Sequence, residues 1–572
     1  MTTYRPTITG TRHMVSAGHH AASHAAFAIL EAGGNAIDAG VAAGIAVAVL
    51  QTDRVNFAGV APIMMYLAAT HEIINIDGLG VWPRAVTPDF FVKHHGGKFP
   101  PGILRTVIPA APDAWITALE KYGTMSFGEV AMAATRFARD GFPMHEFMAE
   151  YIRDNEESYR RWPSSAAVFL PKGRAPREGE LFVQSDLGRT LQYMADEEKA
   201  HSHNGGGRLA GLKAARDAFY RGDIAAAICK YYRENGGLMD AQDMADFHVR
   251  FETPLRMSYK DVELIACGPW CQGPVLPQAL SLLKGFDLAR LGHNSPAYIH
   301  ALAESLKLAF ADRHRYYGDP RFIHVPMDVL LSEAYNNERR KQIRTNEAWP
   351  ELPPAGDAGV AGKSHALPPA TAGAPNPPAD TSYVCVIDRH GNVFSATPSD
   401  GSSSMPVIPG VGVCPSSRGS QSWTDPALPA SVAPGKRPRL TPSPAMVMRN
   451  GKPYMPFGSP GNDIQPQAML QVLLNVVDFG MDVQAAIEAP RFASYSYPGS
   501  SFPHNYHPGR LNLESRIAKE TGDSLAKLGH KVAWWPDVEW RAGAVCAIRV
   551  DPETGILQGG ADPRRPAYAL GW

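Results

Sequence analysis

The sequence predicts an α/β sandwich, with two layers of buried strands and helices outside them. Three observations carry that prediction. Helical periodicity dominates the chain up to about residue 350. A proline-rich stretch then interrupts it, and beyond Asp380 the apolar period changes to two. Period-two runs long enough to be buried, covered by amphipathic helices, form layered α/β architectures.

The elements follow in order. Ala21 to Glu31 reads as a helix stopped at Gly33-Gly34, where a C-terminal glycine belongs. Ala36 to Leu50 is apolar almost all round, which predicts a buried helix. Two short strands are expected at Ile63 to Ala68 and Glu72 to Asp77. Residues 110–350 read as mostly helical. Ser295-Pro296 opens one helix there, with a capping serine and proline at the first helical position. Residues 350–380 hold Pro353-Pro354, Pro368-Pro369 and Pro377-Pro378 among alanines and glycines, the composition of an exposed, mobile linker. Tyr383 to Ile387 and Val393 to Thr397 read as buried strands. Ala445 to Phe457 is a hairpin turning at Asn450-Gly451, the strongest short hairpin signal. A second is expected between Ala544 and Leu557, and Gln467 to Phe479 reads as an amphipathic helix.

Composition narrows the function. Lys+Arg is 55 against 56 Asp+Glu, a net charge of −1, without the basic footprint of a nucleic-acid binder. The longest apolar stretch, Gly40 to Leu50, is shorter than the roughly 20 residues that span a bilayer. No apolar leader follows Met1, so a cytoplasmic protein is the expectation. Six cysteines in 572 residues do not make a disulfide scaffold. Cys267 and Cys271 have no second close pair for zinc, and His19, His20 and His24 have no nearby carboxylate. No metal and no cofactor are expected.

Thr381 stands at the first position of a strand, just after the linker. Cleavage of the Asp380–Thr381 bond would free its α-amine beside its hydroxyl. An α-amine titrates near 7.7–8.0, which suits a general base acting on that hydroxyl. The segment Asp380-Thr381-Ser382-Tyr383-Val384-Cys385-Val386-Ile387-Asp388 resembles the processing site of the γ-glutamyltranspeptidase family of N-terminal nucleophile hydrolases. Ala32 to Ala39, Phe219 to Gly222, Leu308 to Arg313, Gly435 to Pro438, Gly458 to Gly461, Ala489 to Phe492 and Asp562 to Arg565 extend the resemblance, in order, along nearly the whole chain.

The resemblance implies a four-layer αββα sandwich of the N-terminal nucleophile hydrolase type. It also implies self-cleavage into a large subunit, 1–380, and a small subunit, 381–572, that remain a heterodimer open to further oligomerisation. Thr381 becomes the nucleophile and Ser399 its hydroxyl neighbour. Gly461 and Asn462 fall on the oxyanion-hole pair. The grip on a γ-glutamyl group is lost. Leu79 replaces an arginine, Leu440-Thr441 replace paired serines, and the stretch from Cys414 to Gln421 carries no acid. These departures lead to the expectation of a small acidic amide as substrate, as in the oxamate-amidohydrolase-like branch. Arg418 is the leading carboxylate anchor, with Arg54 and Arg439 as alternatives, and Gln421, Thr441 and Leu79 complete the pocket. Trp82 and Trp423 are expected to narrow it. Glutathione hydrolysis or γ-glutamyl transfer is the competing reading, ahead of a non-catalytic binder or C–C bond cleavage.

Overall fold

The computed structural model describes residues 3–202, 206–360, 367–375 and 381–572. Two seven-stranded sheets face each other. One runs, in spatial order, Ile8–Gly10, Leu557–Ala561, Cys546–Val550, Lys452–Gly458, Ala445–Arg449, Val262–Ala266 and Leu255–Tyr259. The other runs Tyr568–Gly571, Met14–Ala17, Val384–Ile387, Val393–Ala396, Ile63–Leu67, Glu72–Ile76 and Phe251–Glu252. Every pairing in both is antiparallel.

Strand alternation builds the layers. Tyr383, Cys385 and Ile387 point between the sheets, where they meet Met446, Met448, Cys546 and Ile548. Val384 and Val386 point the other way, onto helices His20–Glu31, Ala36–Leu50 and Ala111–Tyr122. On the far side Leu264, Val447 and Phe457 face helices Val275–Leu283, Pro296–Tyr316 and Gln465–Val477. The result is helix, sheet, sheet, helix.

Helix Ala36–Leu50 is buried along its whole length and begins at a capping box of Asn35 and Asp38. Its first N–H, on Ala36, donates to the Asp388 carboxylate at 2.9 Å. Gly40 permits the approach to the strands, since a Cβ there would lie 2.1 Å from the Phe394 ring.

The structure adds strands that the sequence did not announce and corrects one reading. The span 110–350 is mostly helical, and within it Leu255–Tyr259 and Val262–Ala266 supply an edge of one sheet. Their hairpin turns at Lys260, in a left-handed conformation with φ 50°, so no glycine announces it. Ile8–Gly10 and Met14–Ala17 are three- and four-residue strands, too short to carry a periodic signal. The stretch after residue 350 is tethered at its start rather than exposed. Leu352 and Ala358 are buried, the Leu352 N–H donates to Tyr506 Oη at 2.8 Å, and the Gly356 N–H donates to Asp312 at 2.9 Å. Thr371 pairs with Tyr506 through its N–H at 2.7 Å and its hydroxyl at 3.0 Å. Backbone hydrogen bonds hold a segment that has little apolar surface to bury. Asp380, with 376–379, lies outside the described residues.

Candidate active site

Thr381 opens the central strand region of the sheet that contains Val384–Ile387. Its backbone forms an antiparallel bridge with Ser399, which bridges in turn to Val60. Gly59 makes that approach possible, since a Cβ there would stand 2.3 Å from the Ser399 carbonyl oxygen. The Thr381 and Ser399 hydroxyl oxygens are 2.7 Å apart. Gln465 Nε2 reaches Thr381 Oγ1 at 3.5 Å. Thr381 is 2% exposed and Ser399 fully buried.

Arg418 lies in the short turn Arg418–Gln421. Gly419 in that turn packs directly on Trp82, whose ring would be 2.4 Å from an added Cβ. The Arg418 guanidinium donates to Ser399 Oγ and pairs with Asp400 at 3.3 Å. Asp400 also accepts from the Ser416 hydroxyl at 2.7 Å and from the Ser417 N–H and hydroxyl at 3.0 and 2.8 Å. Arg418 thus stands against Ser399, with its charge balanced by Asp400.

Gly461 and Asn462 follow strand Lys452–Gly458 and precede helix Gln465–Val477. Both have positive φ, 119° and 56°. Among the described residues their N–H groups donate to no backbone carbonyl. A helix N-terminus with such donors suits a developing oxyanion. Gln421 Nε2 donates to Thr441 Oγ1 at 2.8 Å and reaches Ser501 Oγ and Asn462 Oδ1 at 3.3 and 3.4 Å. Gln272 joins the same group, donating to the Thr441 and Asn462 carbonyls at 3.0 and 2.8 Å. Burial alone would raise the Asp463 carboxyl, but Arg313 and Ser500 hold it below its usual value.

The structure therefore brings Thr381, Ser399 and Arg418 together in one cluster, and Gln421, Thr441 and Asn462 in a second. Leu79 joins neither. It is fully buried in an apolar cluster with Val60, Trp270, Cys271, Tyr383 and Leu440. Arg439 is buried below the site and donates to the Arg313 carbonyl at 3.3 Å. Burial, and then the neighbouring Arg313 charge, push its pKa down to about 9. Trp82 donates to the Ser422 hydroxyl at 2.9 Å, and Trp423 stacks on His504 at 3.5 Å.

Two cavities flank the Pro460-Gly461-Asn462 segment. One, about 800 Å³ including its mouth, is walled by Gly461, Asn462, Tyr495, Tyr497, Phe502 and His507. The other is a narrow, more enclosed crevice walled by Thr381, Ser382, Pro460, Arg54, Phe147 and Arg565 among others. Sequence reasoning missed Gln465, Gln272 and the aromatic wall at 495–507, which lies in irregular chain without periodicity. Asp562 to Arg565 was legible as a motif, but nothing in it marked Arg565 as a wall of this cavity.

Among the described residues, His300, Glu304 and His530 bring three possible metal-ligand atoms within 4.8 Å of one another. Each has other work. His300 Nε2 meets the Arg344 carbonyl at 2.7 Å and so carries its proton there, leaving Nδ1 to accept from His530 at 2.9 Å. The Lys307 ammonium lies 2.7 Å from Glu304. His19 caps helix His20–Glu31 and stacks on His20, with His145 also beside it.

The family described as Gamma-glutamyltranspeptidase matches residues 22–572. The chain is 33% identical to the Acylase ACY 1 proenzyme of Pseudomonas sp. (strain SE83), over 96% of this chain and 92% of that one. It is 30% identical to the Glutathione hydrolase-like YwrD proenzyme of Bacillus subtilis (strain 168), over 99% of each. The solved cephalosporin acylase from Bacillus halodurans superposes with a TM-score of 0.87 at 27% identity, covering 100% of this chain and 98% of that one.

Proposed function

The chain belongs to the γ-glutamyltranspeptidase family, and from that premise we propose that Thr381 is both its processing point and its nucleophile. The enzyme is an N-terminal nucleophile amidohydrolase related to acylases and glutathione-hydrolase-like proteins that are made as proenzymes. The observation that carries the proposal is the 2.7 Å contact between the Thr381 and Ser399 hydroxyls, with Gln465, which opens the helix after the Gly461-Asn462 turn, reaching Thr381 Oγ1 at 3.5 Å.

Cleavage of the 380–381 bond converts the Thr381 amide into an α-amine. That amine takes the hydroxyl proton as Oγ1 attacks the substrate carbonyl, forming a C–O bond. The N–H groups of Gly461 and Asn462 receive the oxyanion. The C–N bond then breaks, and the leaving amine departs with the proton. Water attacks the resulting ester, releasing the acid and restoring the hydroxyl. The larger cavity beside Asn462 has room and aromatic wall for the amine portion.

The acyl portion is read as small and anionic. Leu79 and Leu440 leave no charged grip for a γ-glutamyl group, and an ammonium buried without carboxylates is costly. An ammonia-release screen over small amides, with and without a carboxylate, tests this against glutathione. Robust turnover of glutathione, with none of carboxylated amides, would reverse it.

A further inference from the structure

Helix Gln465–Val477 carries three buried glutamines, Gln465, Gln467 and Gln471. Gln467 spends both ends of its amide on Ser494: Nε2 donates to the Ser494 carbonyl at 3.1 Å, and Oε1 accepts the Ser494 N–H at 2.9 Å. Gln471 holds Phe492 in the same way, at 2.9 and 3.2 Å. Gln465 differs. It is fully buried, its Nε2 reaches Thr381 Oγ1 at 3.5 Å, and its Oε1 accepts from no donor among the described residues. A buried amide oxygen costs free energy unless a donor arrives.

The local sequence aims this amide. Gln465 is the first residue of the helix and Pro466 follows it. Proline there fixes the helical φ and lacks an N–H that the first turn would leave unpaired. Helical side chains lean toward the N-terminus, the end at which the Gly461-Asn462 turn enters. The Gln465 amide meets Thr381 from that end, away from the strand that Gln467 and Gln471 hold.

Cleavage of the 380–381 bond supplies a new donor. Water adds across that amide, so its acyl carbon becomes a carboxylic acid and its nitrogen an amine with more N–H groups than the peptide had. Thr381 is buried, so these N–H groups need protein acceptors. Ser399 Oγ already takes the Arg418 guanidinium and lies 2.7 Å from Thr381 Oγ1. We propose that Gln465 is the positioning residue of the mature nucleophile: its Oε1 accepts from the freed α-amine of Thr381 while its Nε2 donates to Oγ1. The inference rests on the reading of Thr381 as the nucleophile. An amide set that way round holds both reacting atoms of one residue. With an N–H held by Oε1, the amine turns its lone pair to the hydroxyl proton, and Nε2 supports Oγ1 as that proton leaves.

Two measurements on the processed protein test this without a substrate. A crystal structure of the unsubstituted protein is expected to place Gln465 Oε1 within about 3.2 Å of the Thr381 nitrogen. A separation beyond hydrogen-bonding distance overturns the proposal, and this arm needs no variant to fold. Competitive acetylation by acetic anhydride across pH, read by mass spectrometry on the peptide that begins at Thr381, gives the pKa of the α-amine. Arg418 and Asp400, the charged pair beside Ser399, stay in place in every variant. Gln465→Glu should raise that pKa by about 1–3 units, since a carboxylate so close favours the ammonium. Gln465→Met removes the acceptor and should lower it, because the lost bond favoured the charged form. A glutamine that only packs the helix would move neither, and an unchanged pKa in both variants overturns the proposal. Gln465→Met should still self-cleave within a few-fold of the unsubstituted rate, since the amine does not yet exist. A variant that melts like the unsubstituted protein but stays one chain would assign the amide to the scissile step instead. A small fragment that begins elsewhere than Thr381 would overturn the reading of the nucleophile itself, not only the place of Gln465.

Discussion

The Thr381 and Ser399 hydroxyl oxygens stand 2.7 Å apart across a backbone bridge, and Arg418 donates to Ser399 from the other side. Three residues spread over 38 positions thus form one chain of polar contacts ending at Asp400. Arg418 donates to Ser399 Oγ, and either hydroxyl of the Thr381–Ser399 pair can donate to the other.

Thr381→Ala is expected to leave one full-length chain, because both the hydroxyl that attacks its own peptide bond and the later nucleophile are gone. The unsubstituted protein should give fragments 1–380 and 381–572, the second beginning Thr-Ser-Tyr-Val. Mass spectrometry with N-terminal sequencing checks this, and a small fragment starting at any other residue would move the nucleophile away from Thr381.

Ser399→Ala should slow self-cleavage and turnover together, by roughly two- to twelvefold for the lost neutral bond to Thr381, about 0.5–1.5 kcal/mol, and by more where Arg418 also loses its acceptor. Ser399→Thr keeps the hydroxyl and should recover most of the rate. Arg418→Lys should also affect both reactions, because its contact is with Ser399 rather than with a substrate group. The time course of band conversion on a denaturing gel, set beside kcat/KM, reads the two. A substitution at Arg418 that changed KM alone would place it on the substrate instead.

Asn462→Gly keeps both backbone N–H groups of the 461–462 turn, and glycine tolerates the left-handed conformation at φ 56°. Processing and turnover of a small amide should therefore stay within a few-fold. A fall of about 10²–10³, typical of a lost oxyanion donor, would show that the side chain rather than the backbone stabilises the oxyanion.

The two fragments should elute as one species after cleavage. Val384 pairs with both Ala17 and Ala396, Ala445 pairs with Ala266, and Ile8 pairs with Gly559. Strands from both sides of residue 380 alternate within each sheet, so separation exposes apolar faces at about 25 cal/mol per Å². Gel filtration in native buffer that resolved free fragments would contradict this.

Thermal stability should fall as pH drops from about 6.5 toward 4. Burial pushes His145 and His504 down to about 4, and His530 down to about 2. In that window the unfolded chain binds protons that the folded one refuses, so acid favours unfolding. Asp77 acts oppositely: burial raises it to about 6 despite Arg437, so the folded state takes up its proton first. Three histidines outweigh it. Melting curves across the window check the sign, and a melting temperature that rose on acidification would refute it.

The sequence alone determined the elements with a strong local signal. The capped helix Pro296–Tyr316, the buried helix Ala36–Leu50 and the hairpin Ala445–Gly458 were legible because period, cap or turn residues mark them locally. Thr381, Ser399 and the Gly461-Asn462 turn were legible because their motifs are contiguous. Only the tertiary structure decided what stands between them. Ile8–Gly10 becomes a strand because Leu557–Ala561 pairs with it from the other end of the chain. Arg418 has the sequence signature of any arginine, and only folding brings it against Ser399 and Asp400. Arg54 and Arg565 meet on the Phe147 and Trp540 rings because the two ends of the chain close the same layer. Periodicity and motif record neighbours along the chain. A cavity wall is assembled from residues whose only relation is the distance between them after folding.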